Sequence, residues 1–218
     1  IHHTHDASLW PPQGIIYKQA VEAAQGHEKA RECFRLQWTE NAEHVTPLLL
    51  PTHPARATNT WLIDYLPSVE QGLADLAAWV EKGIPPAETN FTMVDGKVSL
   101  PPTAAERGGT QPVAGVTVNG GARTEVAAGQ PVTIQLDAEA PPGAGTITQI
   151  QWDFDNSGRF AIEQPIMQGE TKLSLSMTHA YDQPGTYFAV ARVRLNREGD
   201  PTAARQVENL AAARIVVS

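Results

Sequence analysis

The chain is short of cysteine, of basic clusters and of long apolar runs. A single cysteine, Cys33, among 218 residues excludes a disulfide within the chain, so any fold must rest on packing rather than on covalent staples. The 16 basic residues are outnumbered by 24 acidic ones, for a net charge of −8, and no local basic patch offsets them. Such a surface repels a phosphate backbone, which excludes nucleic acid as a partner. No apolar run approaches the ~20 residues of a membrane-spanning helix. The opening "IHHTHDASLW" has neither the basic start nor the apolar stretch of a signal peptide, and the missing initiator methionine suggests a processed or truncated start. A nucleophile elbow, G-x-S-x-G, is also missing: Ser8, Ser68, Ser99, Ser157, Ser174, Ser176 and Ser218 all lie in other contexts.

What is present divides near residue 85. The first part carries helical patterns. "PPQGIIYKQAVEAAQG" has prolines at its start and Gly26 at its end, and Ile16, Ala20 and Ala23 or Ala24 share one face. In "CFRLQWT", Phe34, Leu36 and Trp38 alternate with Arg35 and Gln37, which predicts a strand over 33–39. A loop follows and carries His44. Then Leu66, Val69, Leu73, Leu76 and Val80 step by three and four, an apolar stripe that predicts a helix from 66 to 82 packed through those residues. Pro67 suits its first turn, and Gly83 with Pro85 and Pro86 its end.

Beyond residue 88 the pattern is that of strands. Asp95–Gly96 between two short β-prone runs signals a hairpin. "PPTAAERGGTQPVAG" reads as a linker. "VTIQLDA", "ITQIQWDF", "KLSLSMT", "TYFAVARVRL" and "ARIVVS" alternate apolar and polar residues, which predicts an antiparallel sandwich of about 105 residues with its own core. Pro184–Gly185 suits a type II turn. The expected domains are therefore 1–88, a hairpin and linker over 89–112, and the sandwich over 113–218.

"ITQIQWDFDNSG" and "THAYDQPGTYFAVARV", preceded by "AAGQPVTIQLDA", resemble the PKD domain, an immunoglobulin-like β-sandwich. Its W-D-F-G-D-G pattern appears here with Asp155 in place of the first glycine. Its H-x-Y-x-x-x-G-x-Y-x-V pattern appears as His179, Tyr181, Gly185 and Tyr187, with Ala189 in place of valine. Asp153, Asp155 and Ser157 mimic the start of a calcium loop, but Gln164 stands where the twelfth-position glutamate belongs, which favours a polar turn.

Residues 1–88 hold too few elements to bury a core of their own. Their order is acidic loop, helix, strand, histidine loop, helix. This resembles the end of an α/β-hydrolase of the tannase or feruloyl-esterase type, on "HDASLWPPQGIIYKQAVEAA", "FRLQWTENAEHV" and "LADLAAWVEKGIPPAET". The resemblance implies an α/β fold incomplete in this chain. It implies His44 as general base and Asp6 as its acid, with Asp64 and Glu43 as alternative acids. Trp10 and the loop 45–60 would wall a cleft for an ester-type small-molecule substrate. The nucleophilic serine would come from an upstream hydrolase portion, on the same precursor or a separate chain. Strand 33–39 would pair in parallel with a strand from that portion, and an extracellular or periplasmic location is expected.

"HHTHD" has the flavour of a zinc loop, but no second histidine cluster completes a three-ligand site. Neither a metal nor a cofactor is expected. The other reading is a non-catalytic structural or interaction subunit built on the PKD-like sandwich.

Overall fold

Alternation along the strands of the second half decides where the main core lies. The computed structural model describes residues 1–218. From the N-terminus the elements are β1 (His2–His3), α1 (Pro12–Gln25), α2 (His27–Cys33), β2 (Trp38–Thr39), α3 (Leu66–Lys82), β3 (Thr92–Val94), β4 (Lys97–Ser99) and α4 (Ala104–Arg107). Then come β5 (Val113–Val118), β6 (Arg123–Val126), β7 (Pro131–Glu139), β8 (Thr146–Asp153), β9 (Ile162–Gln164), β10 (Lys172–Ala180), β11 (Gly185–Asn196) and β12 (Val207–Val217).

β10-β7-β5 form a three-stranded sheet and β6-β12-β11-β8-β9 a five-stranded one. All of their pairings are antiparallel except β6 with β12. Val132, Ile134, Leu136 and Ala138 of β7 are fully buried and face Ile150, Trp152, Ala189, Ala191 and Val193 of the other sheet. These residues belong to one core of 18 buried side chains. At roughly 25 cal/mol per Å² of apolar surface removed from water, a core of this size carries the stability of the sandwich. Gly185 pairs with Val217 at the start of β11 and does not take the positive φ of a type II turn. Strand pairing at that position prevails over the local Pro-Gly preference.

The outer face of the five-stranded sheet is covered by the first half of the chain. Val190 and Leu210 point away from the main core, yet they are buried against Ala42, Ile63 and Phe160. Polar contacts fix this interface. Asn209 is fully buried; its Oδ1 accepts from Asn41 Nδ2 at 2.9 Å and its Nδ2 donates to Pro112 O at 2.9 Å. Gln111 Nε2 donates to both Glu40 O and Glu208 O, each at 3.0 Å. Arg107, its side chain 7% exposed, donates to Glu40 Oε2 at 2.7 Å. The stretch expected as a linker is thus an ordered clamp. Thr103 caps its one-turn helix: its Oγ1 accepts from Glu106 N at 3.4 Å and donates to Glu106 Oε2 at 2.7 Å, which satisfies one otherwise unpaired N-terminal N–H.

The fold expected for residues 1–88 is corrected. Strands make up 35% of the chain and helices 22%, and no α/β-hydrolase fold is evident. The strand predicted over 33–39 is paired only at Trp38–Thr39, and its parallel partner is β1 of the same chain rather than a strand from elsewhere. Only two residues of β1 pair before the chain turns at Thr4 and His5, so the ladder cannot be longer. Leu36 and Trp38 do share a face, packed on Ile15 of α1. It is Ile15 rather than Ile16 that α1 buries.

Helix α3 has the predicted limits but the opposite orientation. Ser68, Gln71 and Asp75 are buried, while Leu73, Leu76 and Val80 are 61%, 49% and 81% exposed. The polar face turns inward because the turn between β11 and β12 offers it cations. Arg197 donates to Asp75 at 3.0 Å and Arg205 to Gln71 at 3.3 Å. A short helix, α2, forms from the polar "HEKAREC", where no apolar period announces it.

Candidate functional site

Parallel strands bring their carboxyl ends to the same edge of a sheet. β1 and β2 run in parallel, His2 opposite Trp38 and His3 opposite Thr39, so the loops that follow them meet. The loop after β1 carries Asp6 and the loop after β2 carries His44. His44 Nδ1 lies 3.1 Å from Asp6 Oδ2. Asp6 is 5% exposed, and its other oxygen accepts from the backbone N–H groups of Ser8 at 2.9 Å and Leu9 at 2.7 Å. Burial pushes this carboxyl up, but the bonds from Leu9, His44 and Ser8 together hold it below the usual carboxylate value. The anion is therefore favoured, and it orients the imidazole.

The His44 loop is pinned from three sides. Glu43 Oε1 accepts from His44 N at 2.8 Å and from Ala7 N at 2.9 Å, joining the two loops. Tyr65 Oη donates to His44 O at 2.9 Å. Asn41 turns the chain with a φ of 57°, a conformation that asparagine tolerates better than most residues. The His44 side chain is 45% exposed, and its Nε2 has no hydrogen-bond partner in the chain. No serine hydroxyl bonds to it. Of the three acids that the sequence leaves open, Glu43 binds backbone and Asp64 receives Leu66 N at 3.1 Å to start α3; only Asp6 meets the ring.

Beside this pair lies a cleft of about 420 Å³, lined among others by His5, Glu43, Arg56, Thr60 and Trp61 and floored by Leu210. The Arg56 guanidinium stacks over Phe188 at 4.0 Å and Trp61 at 5.3 Å and donates to Thr60 Oγ1 and O at 2.8 and 2.6 Å. The loop 45–60 thus contributes Arg56 and Thr60 to the wall. Trp10 is 67% exposed and its indole N–H donates to Ala7 O at 3.2 Å. Nothing in the sequence singled out Arg56, since an arginine in a loop reads as a solvated charge.

The histidines of "HHTHD" diverge. His2 packs against Trp38 and Gly14 on one face of the strand. His3 stacks on Tyr65 at 4.3 Å on the other. His5 Nδ1 bonds Thr4 Oγ1 at 3.0 Å. No three side chains of the His, Cys, Asp and Glu types converge anywhere in the chain. In "DFDNSG", Asp153 accepts from Asp155 N at 3.0 Å and from Gly158 N, and Asn156 Oδ1 accepts from Phe188 N at 3.0 Å. These side chains hold the turn to β11 and to residue 57, whose N–H donates to Asn156 O at 2.9 Å. His179 lies between Phe154 at 4.7 Å and Tyr181 at 4.6 Å.

Comparison with known proteins supports the sandwich. The sequence model of the PKD domain matches residues 115–207. Similar solved structures include the PKD domain of an M14-like peptidase from a Thermoplasmatales archaeon, at 14% identity and a TM-score of 0.35, covering 50% of this chain and 97% of that one. A CARDB domain from Pyrococcus furiosus is similar at 17% identity and a TM-score of 0.36, over 49% of this chain and 95% of that one. No curated protein matches. Nothing among these relatives supports the tannase-like part expected for residues 1–88. Residues 115–207 are a PKD domain.

Proposed function

We propose that the chain is a non-catalytic interaction segment, in which the PKD sandwich is a rigid support that presents residues 1–112 to a partner polypeptide, outside the cell or in a periplasm. One observation carries this reading. Of the seventeen large apolar side chains left exposed, fifteen lie in residues 1–94 and only Ile162 and Met167 lie in the sandwich. Scattered exposed apolar residues are ordinary, but a concentration on one part of a molecule marks an interaction surface. Hydroxyl-radical footprinting tests the reading by comparing residues 1–218 alone with the same chain in its native assembly. Trp10, Leu73, Leu76 and Val80 are expected to be oxidised several-fold more slowly in the assembly. Equal oxidation in both would end it.

The His44–Asp6 pair favours a second reading. A buried carboxylate on Nδ1 and an unoccupied Nε2 are what a general base requires. A serine hydroxyl brought by the partner would lose its proton to Nε2, attack an ester-type carbonyl, and the imidazolium would then protonate the leaving alcohol. Asp6 would hold the tautomer and stabilise the cation. The test is fluorophosphonate labelling of the native assembly together with ester hydrolysis. His44→Ala is expected to lower hydrolysis by ~10³-fold or more while leaving stability nearly unchanged. Absence of labelling, or full activity in the variant, rules this reading out.

A further inference from the structure

The edge of β1 is open, and the surfaces above and below it are apolar. His2 N donates to Gln37 O at 2.9 Å and Thr4 N to Thr39 O at 3.0 Å. Alternation along a parallel ladder then turns the N–H and C=O of His3 away from β2, and β1 has no strand on that side. The far edge of β2 differs: Thr89 closes it, donating its N–H to Leu36 O at 3.2 Å and accepting from Trp38 N at 3.1 Å. One edge of the pair is sealed and the other is free.

A two-residue parallel pair is too short to be a finished sheet. Parallel strands are found where both faces are covered by helices and where the strands carry apolar residues on both faces. Here both covers exist. On one face, a cleft of about 440 Å³ runs between the strands and α3, lined by Ile1, Phe34, Gln37, Leu73, Leu76 and Trp79. On the other, a cleft of about 300 Å³ runs between the strands and α1, lined by Leu9, Gly14, Tyr17 and Leu36, again with Ile1 and Phe34. The two clefts share Ile1, Phe34 and Arg35 as walls.

We propose that β1 receives a parallel β-strand from a different polypeptide, of four or more residues and apolar on both faces, whose alternate side chains enter the two clefts. This rests on the interaction reading above and names its partner class. An extended strand is the occupant that satisfies the His3 backbone groups and fills clefts on opposite faces at once, because successive side chains of a strand point to opposite sides. A helix laid on α3 would fill one cleft and leave the edge unpaired. A second copy of this chain is disfavoured because its long strands are already committed to the sandwich.

The test selects binders of residues 1–218 from a displayed library of random dodecapeptides, then measures the affinity of a synthesised binder by fluorescence anisotropy. Binders are expected to contain four or more consecutive apolar, β-prone residues and to slow amide exchange at His3. His3→Pro removes the outward N–H without touching a bond to β2, and Leu73→Lys with Leu76→Lys alters side chains that are already exposed. Each is expected to weaken binding at least tenfold, and the second holds the test open if the first loosens the segment. Binders with apolar residues spaced by three and four, affinity unchanged in both variants, or dimerisation through β1 would overturn the strand while leaving an interaction surface in place. An absence of binders to residues 1–94 would overturn the interaction reading as well.

Discussion

The two halves of this chain bury side chains by opposite rules. In the sandwich, alternation and burial coincide: the apolar positions of β7 and β8 point at each other across 18 core residues. In residues 1–112 the apolar groupings are small: Ala42 and Ile63 against Phe160, Val190 and Leu210 at the sheet face, and three residues beneath α1, and α3 turns its polar side inward. Periodicity reveals which face of an element is apolar. It does not say that this face points into the same chain. Where a chain supplies its own second sheet, the two statements agree; where the covering surface is polar, as β12 with Glu208 and Asn209 is, they part.

Truncation should break the comparison most severely. Residues 113–218 alone are expected to unfold cooperatively, whereas residues 1–88 alone should be disordered or insoluble, because they lose the sheet face and the clamp at once. A cooperative thermal transition for isolated 1–88 would contradict this. Within the whole chain, Trp152→Ala should cost about 3–5 kcal/mol by leaving a cavity at a fully buried position, read by denaturant unfolding.

Glu40→Gln should cost less, about 1.5–3 kcal/mol, because it weakens a charge-assisted bond to the buried Arg107 guanidinium. Limited proteolysis should then cut the first half sooner and spare the sandwich. A pH dependence belongs to the same half. Burial holds His3 at about 4 in the folded chain, with Asp6 pulling the other way, against about 6.5 unfolded. The unfolded state therefore binds more protons between those values. The stability held by neutral His3 is complete above about 6.5, declines as pH falls, and is gone near 4. Near-ultraviolet dichroism of Tyr65 and Trp38 should weaken across that window, and His3→Phe should flatten the dependence.

The smallest effect sharpens the comparison. Leu73→Lys is expected to change the stability of the isolated chain by no more than about 0.5 kcal/mol, since the side chain is 61% exposed. A loss of about 2 kcal/mol or more, on the scale of truncating a buried leucine, would mean that the apolar stripe is packed in solution.

The sequence by itself determined the sandwich, the Asp95–Gly96 hairpin and the limits of α3, because those depend on alternation, on positive φ at the turn (51° and 76°) and on a C-terminal glycine at φ 68°, all local properties. It also ordered Asp6 and His44 along the chain. Only the tertiary structure decided that these two meet at 3.1 Å, since that distance depends on β1 and β2 lying side by side in parallel. The roles of Arg107, Gln111 and Asn209 were equally out of reach. In a sequence, polar residues in a Gly-rich stretch or on a strand read as solvated, and whether water or Glu40 satisfies them is fixed by what folds against them. The same holds for α3: its stripe is written in the residues, but the direction it faces is set by Arg197 and Arg205, more than a hundred residues away in the chain.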